Sequence, residues 1–315
     1  FTVNAQRMDS LRVPASFGGL RQWRSSAVAE LGEGETHTTP RGVLGHEWDE
    51  DIDNGVRPPG LIRLSRTAVD NVQYITDHGS VFDTGSAEHS LVMYKVPSSG
   101  AIVFGAGTVQ WAWGLDATHD ANDPPRANMY DTRVETDPLG ADSAVQQLTI
   151  NVFADMGVQP HPPSLSHFHP SLSVAEPSDD GEAPSACVVG ARVEARGCAE
   201  DEDGGCPFRA VVEVAASDAP GGGVVAGVEV SLDGGRRWHP AERGAAKDGG
   251  GGAGSCEEEL GGADVVVSYW VLDYGSASFD CLYGEEYGEG GVPAAAVLVR
   301  AASSVWLRCW GGGGA

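Results

Sequence analysis

Lysine is nearly missing from this chain: of its 20 basic residues only Lys95 and Lys247 are lysine, against 45 Asp and Glu, so the formal charge is −25. Nucleic acid is excluded as a partner, because nothing here supplies the basic footprint that neutralises phosphates. Docking on anionic lipid is disfavoured for the same reason. No apolar run approaches the ~18–20 residues that a membrane-crossing helix needs, so no membrane insertion is expected. The chain begins at Phe1 with neither an initiator Met nor a charged-then-apolar leader, as expected of a processed chain or a piece of a longer one. No Gly-x-Ser-x-Gly elbow occurs, which argues against that type of serine hydrolase. No Cys-x-x-Cys occurs either, which argues against a zinc ribbon or a thioredoxin-type centre.

What is present divides in two. A length of 315 residues with 41% hydrophobic content allows two domains with real cores, and 44 Gly and 18 Pro promise many turns. Residues 1–160 hold 11 basic and 21 acidic residues and no cysteine. Residues 161–315 hold 9 and 24, together with all six cysteines: Cys187, Cys198, Cys206, Cys256, Cys281 and Cys309. Between them the run 159–185 contains Pro160, Pro162, Pro163, Pro170, Pro177 and Pro184, the composition of a stiff, solvated linker. The expected organisation is therefore a domain over 1–158, a linker over 159–185 and a second domain over 186–310.

The first part reads as mixed α and β. Val43–Trp48 and Leu61–Val69 are short apolar runs bounded by Gly and Pro, and His89–Val96 with Ala101–Phe104 flanks the turn formers of 97–100 as a hairpin. Val145, Leu148, Val152, Phe153 and Met156 recur at helical spacing behind Asp142 and before Gly157, which predicts a helix with Asp142 as its N-cap. The second part reads as all-β, with strands over Arg209–Ala216, Val224–Leu232, Val265–Leu272 and Ala294–Ala301, a pattern that suits a small sandwich. Disordered insertions are expected at the acidic cluster 200–203, the glycine run 247–255 and the tail 311–315.

The densest chemistry lies in His46-Glu47-Trp48-Asp49-Glu50-Asp51-Ile52-Asp53-Asn54-Gly55. Alternate carboxylates at Asp49, Asp51 and Asp53 suit a hard cation, but the EF-hand register fails, with Asn54 at the sixth position and Gly60 at the twelfth. The alternatives are another metal site with Glu47 and Asp49 as ligands, or a solvated acidic turn. Glu47 follows Val43 and Leu44 at a strand end, where burial would raise its pKa and suit acid–base or metal-ligand work; an ion pair with an Arg is the competing reading.

His89 beside Glu88, Ser90 and Asp83 does not read as a triad, since adjacent strand residues face opposite ways. His161, His167 and His169 lie in linker sequence without the rigid support that a fixed metal site needs. In Phe104–Asp116, Gly105 and Gly107 permit close backbone approach, but Gln110 stands where a dinucleotide fingerprint needs its third Gly. Trp111 and Trp113 would share one face if a strand continues through them, with packing as their role.

These pieces carry a resemblance. Phe1-Thr-Val-Asn4, Leu20-Arg-Gln-Trp-Arg24, the run from Leu44 to Gly55, Arg57-Pro-Pro-Gly-Leu-Ile-Arg-Leu-Ser65, the run from Phe104 to Asp116, and Asn151-Val-Phe-Ala-Asp-Met-Gly157 together resemble the C-terminal domain of the N,N-dimethylformamidase large subunit (beta subunit-like). Ala215–Ala241 is similar to the immunoglobulin-like module that often follows that domain. The resemblance implies a glutamine-amidotransferase-like α/β fold, present only as its C-terminal part because the family's upstream Gly-His-Asp-Glu-Tyr-Trp segment is missing. It implies a companion all-β immunoglobulin-like sandwich and a secreted, multi-module setting. It also implies hydrolysis of a small amide with an iron held by two tyrosines and a glutamate. In relatives the residue at His46 is commonly Tyr, so the resemblance argues against an essential role for His46.

The expected function is a fragment of a metal-dependent amide hydrolase, inactive by itself, with Glu47 lining the cleft. The alternative is a non-catalytic secreted or surface protein that binds an extracellular polymer or a partner. Six cysteines allow 15 pairings and suit disulfides in an oxidising compartment; free thiols in a cytosolic protein are the other choice. Alkylation of the denatured, unreduced protein separates them: disulfides lower the thiol count below six, and six free thiols exclude them.

Overall fold

A period-two pattern runs through much of the first half, and paired strands follow from it. The computed structural model describes residues 2–3, 9–45, 47–53, 56–76, 79–116, 141–159, 171–175, 184–195, 208–217, 224–231, 238–243, 266–274 and 298–303. The chain divides into one unit of Phe1–Ile52 with Leu61–Asp180 and a second of Asp53–Gly60 with Gly181–Ala315.

The first unit contains β1 (Thr2–Val3), β2 (Arg12–Pro14), β3 (Thr36–Thr38), β4 (Glu47–Trp48), β5 (Ile62–Arg63), β6 (Thr67–Thr76), β7 (Val81–His89), β8 (Val92–Lys95), β9 (Ile102–Gly105) and the helix α1 (Ser143–Asp155). They build three antiparallel sheets, ordered β4-β1-β6-β7, β5-β8-β9 and β2-β3. All ladders among the described residues are antiparallel. Among the described residues the architecture is thus largely β with one α-helix, and these elements do not form the parallel strand–helix–strand repeat expected of an α/β domain. No helix among the described residues is long and apolar enough to cross a membrane.

One bulge organises the long hairpin. Val69 pairs with Ala87 and Val72 with Gly85, so β6 carries one residue more than β7 across this interval. Asn71 takes up the excess at φ 57°, in the left-handed region that Asn tolerates. Without the bulge Val69 and Val72 would face opposite sides; with it both point inward and join Leu44, Trp48, Ala87 and Tyr74 in one apolar cluster. Tyr74 lies over Gly85, where a Cβ would stand 2.7 Å from its hydroxyl.

The hairpin at 97–100 forms as the turn residues predict, with Lys95 paired to Ile102. The helix also forms as predicted: Asp142 caps it, accepting from Ala144 N at 2.9 Å and Val145 N at 3.0 Å. Its buried face differs from the apolar stripe, because Phe153 and Met156 are exposed while Gln147 and Asn151 are buried. Asn151 Nδ2 donates to the carbonyls of Gln22 and Arg24, and Gln147 pairs with both backbone groups of Ser173, docking 171–175 of the proline-rich stretch onto the helix. Asp155, unfavourable at a helix C-terminus, is held by Arg21 at 3.2 Å and Arg24 at 2.9 Å.

Two expected strands are shorter than their apolar runs. Val43–Trp48 contributes only Glu47–Trp48, and Leu61–Val69 breaks after Arg63. There the backbone finds other partners: Leu64 N donates to Leu91 O, Trp23 Nε1 donates to Leu64 O, and Ser65 Oγ accepts from Leu91 N. Trp111 and Trp113 lie in a 3₁₀ turn, Trp111–Gly114, instead of a strand, and Trp111 packs edge-on against Phe104.

The second unit holds two antiparallel sheets. β10 (Ser185–Ala195), β11 (Phe208–Ser217), β14 (Glu242–Arg243) and β15 (Val266–Tyr274) form one, ordered β10-β11-β15-β14; β12 (Val225–Ser231), β13 (His239–Pro240) and β16 (Leu298–Ser303) form the other, ordered β13-β12-β16. β12 buries Val228, Glu229, Val230 and Ser231 in succession, so both of its faces are covered. Glu229 explains how: its Oε2 accepts from Gly60 N at 3.1 Å and its Oε1 lies 3.6 Å from Arg57. His239 Nδ1 meets Asp53 at 2.8 Å. The segment Asp53–Gly60 is therefore tied to β12 and β13 by charged side chains. The acidic cluster 200–203, the glycine run 247–255, the tail 311–315 and the six cysteine side chains lie outside the described residues.

Removing the helix cap gives a direct check. Asp142→Ala is expected to lower the stability of the first unit by ~1–2 kcal/mol in urea unfolding, and Asp142→Asn by less, since Asn caps nearly as well.

Candidate functional site

The acidic stretch after Leu44 is sorted by the fold into carboxylates with partners and carboxylates without. Glu50 Oε1 accepts from Glu88 N at 2.6 Å, Asp51 pairs with Arg63 at 2.8 Å, and Asp53 belongs to the second unit, paired with His239. A calcium loop using Asp49, Asp51 and Asp53 is not formed, since two of the three are committed elsewhere. Glu47 and Asp49 remain, and neither carboxylate has a hydrogen bond or ion pair among the described residues. The Arg partner considered for Glu47 is thus not found there; Glu47 is half-buried and Asp49 exposed.

Their common orientation follows from the backbone. Val109 N donates to Glu47 O at 3.1 Å and Asp49 N donates to Gly107 O at 2.8 Å, so 107–109 lies along one edge of β4. Trp48 pairs with Thr2 of β1 on the other edge. Residues two apart on a strand share a face, roughly 7 Å apart, which sets Glu47 and Asp49 side by side and sends Trp48 to the opposite side. His46 lies outside the described residues, as do His161, His167 and His169.

The inner face is sealed by His89. A bridge between Glu50 and His89 returns the far edge of the sheet to the residues just after β4, so the sheet curls on itself around Trp48. His89 alternates inward with Ala87, while Glu88 points outward to Arg66 at 2.6 Å. Trp48 and His89 meet edge to face with ring centroids 5.9 Å apart. His89 Nε2 donates to Ala106 O at 2.9 Å. Gly107, at φ 59°, passes so close that a Cβ there would stand 3.1 Å from Nε2. The close approach allowed by Gly105 and Gly107 is therefore to Val92 and the His89 ring. Among the described residues Ser90 and Asp83 make no hydrogen bond to His89, whose Nε2 is engaged by Ala106. The Trp48–His89 pair was legible only in part: the alternation of β7 turns His89 inward, but its ring partner comes from a distant strand.

Among the described side chains, two tyrosines and a glutamate are not brought together as an iron site would need. Tyr74 and Trp48 both pair with Thr2 and share the inner face, opposite Glu47, while Tyr94 sits in the separate β5-β8-β9 sheet. Among the described residues no group of three or more His, Cys, Asp or Glu is arranged to hold a metal ion.

Curled antiparallel sheet, paired acidic residues on its outer face and a buried aromatic–imidazole contact inside all fall within one matched region. Residues 3–125 match a family model described as N,N-dimethylformamidase beta subunit-like, C-terminal. No curated protein and no solved structure matches the chain.

Burial pushes the His89 pKa down from 6.5 to about 4, with the Ala106 hydrogen bond opposing the shift. The unfolded chain takes up this proton below pH 6.5 and the folded one only near pH 4, so the contribution is complete above pH 6.5 and is lost as pH falls toward 4. Between those limits the first unit should lose ~3 kcal/mol. Urea unfolding at a series of pH values should give this slope, and His89→Gln should flatten it.

Proposed function

We propose that residues 3–125 serve a dimethylformamidase-like amide hydrolase, with Glu47 as its acid–base carboxylate and Asp49 as the second acidic group facing the same solvent. One observation carries this reading: within the matched region, the fold commits the carboxylates of Glu50 and Asp51 to structural partners and leaves those of Glu47 and Asp49 available on one face. A half-buried carboxylate without a counter-ion is suited to take a proton from a water attacking an amide carbonyl. In the metal-dependent form of the reading, Glu47 and Asp49 are two oxygen donors and the others come from outside the described residues. The described residues place no third donor beside Glu47, so the chain alone is expected to be inactive.

The α/β amidotransferase-like core, the boundary within 159–185 and an extracellular or secretory location belong to the same proposal. The second unit is read as its immunoglobulin-like companion, a reading supported by two antiparallel sheets of four and three strands. A non-catalytic binding protein is the alternative, favoured by the separation of Tyr74 from Glu47 on opposite faces.

The test is formate release from N-substituted formamides by the full-length protein, alongside its metal content. Stoichiometric iron, lost in Glu47→Gln together with at least ~100-fold of the activity, is the expected result. Absence of both bound metal and formamide cleavage would overturn the hydrolase reading in favour of the binding one.

A further inference from the structure

Inside the curled sheet two ring nitrogens, Trp48 Nε1 and His89 Nδ1, are sealed from solvent without a hydrogen-bond partner. The two residues are 1% and 0% exposed, and their rings are in contact. Their roles are opposite. An indole N–H can only donate. The Ala106 carbonyl opposite His89 Nε2 can only accept, so Nε2 carries the proton and Nδ1 presents a bare lone pair. A third buried atom without a partner, Gln110 Oε1, is again an acceptor. Gln110 belongs to the same wall: its backbone N donates to Thr108 Oγ1 at 3.3 Å, and Thr108 is the bridge partner of Trp48.

One donor and two acceptors are the complement of a single water, which accepts one hydrogen bond and donates two. Buried waters in globular proteins typically make about three hydrogen bonds to polar groups that would otherwise go unsatisfied. The set carries no charge that would select an ion, since burial keeps the imidazole neutral and its Nε2 is already engaged. All three atoms are closed to solvent, which limits the ligand to the smallest neutral molecule that both donates and accepts.

We propose that the first unit holds a structural water between the Trp48 indole and the His89 imidazole, with Gln110 Oε1 as its third partner. The water joins β4 to the end of β7 and to the 106–110 segment, adding to the Glu50–His89 and Trp48–Thr108 bridges and to the backbone bonds of Glu47 and Asp49 with Val109 and Gly107. It stands behind the strand whose outer face carries Glu47 and Asp49. It therefore sets how rigidly those carboxylates are held, and it does so whether or not they are catalytic.

Protein NMR on the full chain tests this at atomic sites. The Trp48 indole proton is expected to show a cross-peak to a long-lived water, and His89 to show the Nε2–H tautomer with a hydrogen-bonded Nδ1. In His89→Phe and in Gln110→Leu the cross-peak should be lost or weakened, with the dispersion of a folded spectrum retained. A Trp48 indole proton with no water cross-peak in the native protein overturns the proposal. So does an unchanged cross-peak in both variants, which would put the water elsewhere. Should either variant fail to fold, the native cross-peak together with the His89 Nδ1 shift still decides the matter.

Discussion

A strand of two residues cannot persist alone, and the first unit depends on the pairing that holds one. β4 spends its backbone in two directions: Trp48 pairs toward β1, while Glu47 and Asp49 pair toward 107–109. With both edges engaged, its backbone groups are satisfied in the interior of a sheet. Strand geometry then does the rest, because alternate side chains must leave by opposite faces. Trp48 goes into the core and the flanking carboxylates go out. The Glu50–His89 bridge makes this arrangement a closed curl instead of an open sheet, so the indole is enclosed by the strand that returns to it.

Elsewhere the molecule uses buried polar side chains to fasten irregular chain. Asn151 and Gln147 occupy positions on α1 where an apolar residue would pack, and each satisfies backbone groups that no ladder reaches. Asp155 does the same for the two arginines near Trp23, and Glu229 for Arg57 and Gly60 in the second unit. A buried polar group left alone costs ~1–3 kcal/mol, so each fastening is specific: the loop segment and its side-chain partner stabilise one another or neither is placed. The acidic composition has the same origin in part, since several carboxylates are structural acceptors and only Glu47 and Asp49 of the 47–53 stretch remain without such a task.

Local signals were readable where they were self-contained. The turn at 97–100, the helix behind Asp142 and the Val-rich strands of the second half each depend on neighbours within a few residues, and each formed close to its expected place. Readings failed where backbone groups found distant partners. Leu61–Val69 looked like one strand but is broken by bonds to Trp23 and Leu91. Trp111 and Trp113 looked like strand neighbours but follow a 3₁₀ turn. The buried amides of α1 replaced Phe153 and Met156, because the helix packs against open backbone and not only against apolar side chains. Mixed α and β content was legible, whereas the antiparallel character of every described ladder was not, since composition carries no strand direction.

Composition and spacing by themselves determined that this is an acidic chain of two unlike halves, with Glu47 and Asp49 among its notable carboxylates and a capped helix at Asp142. Those properties are local or additive, and no contact between distant residues alters them. Only the tertiary structure decided which carboxylates stay unpaired, that His89 turns inward against Trp48, and that Asp53–Gly60 joins the second unit. Each of these depends on partners dozens to nearly two hundred residues away, and pairing at such range is set by sheet register and closure, which no sequence window contains.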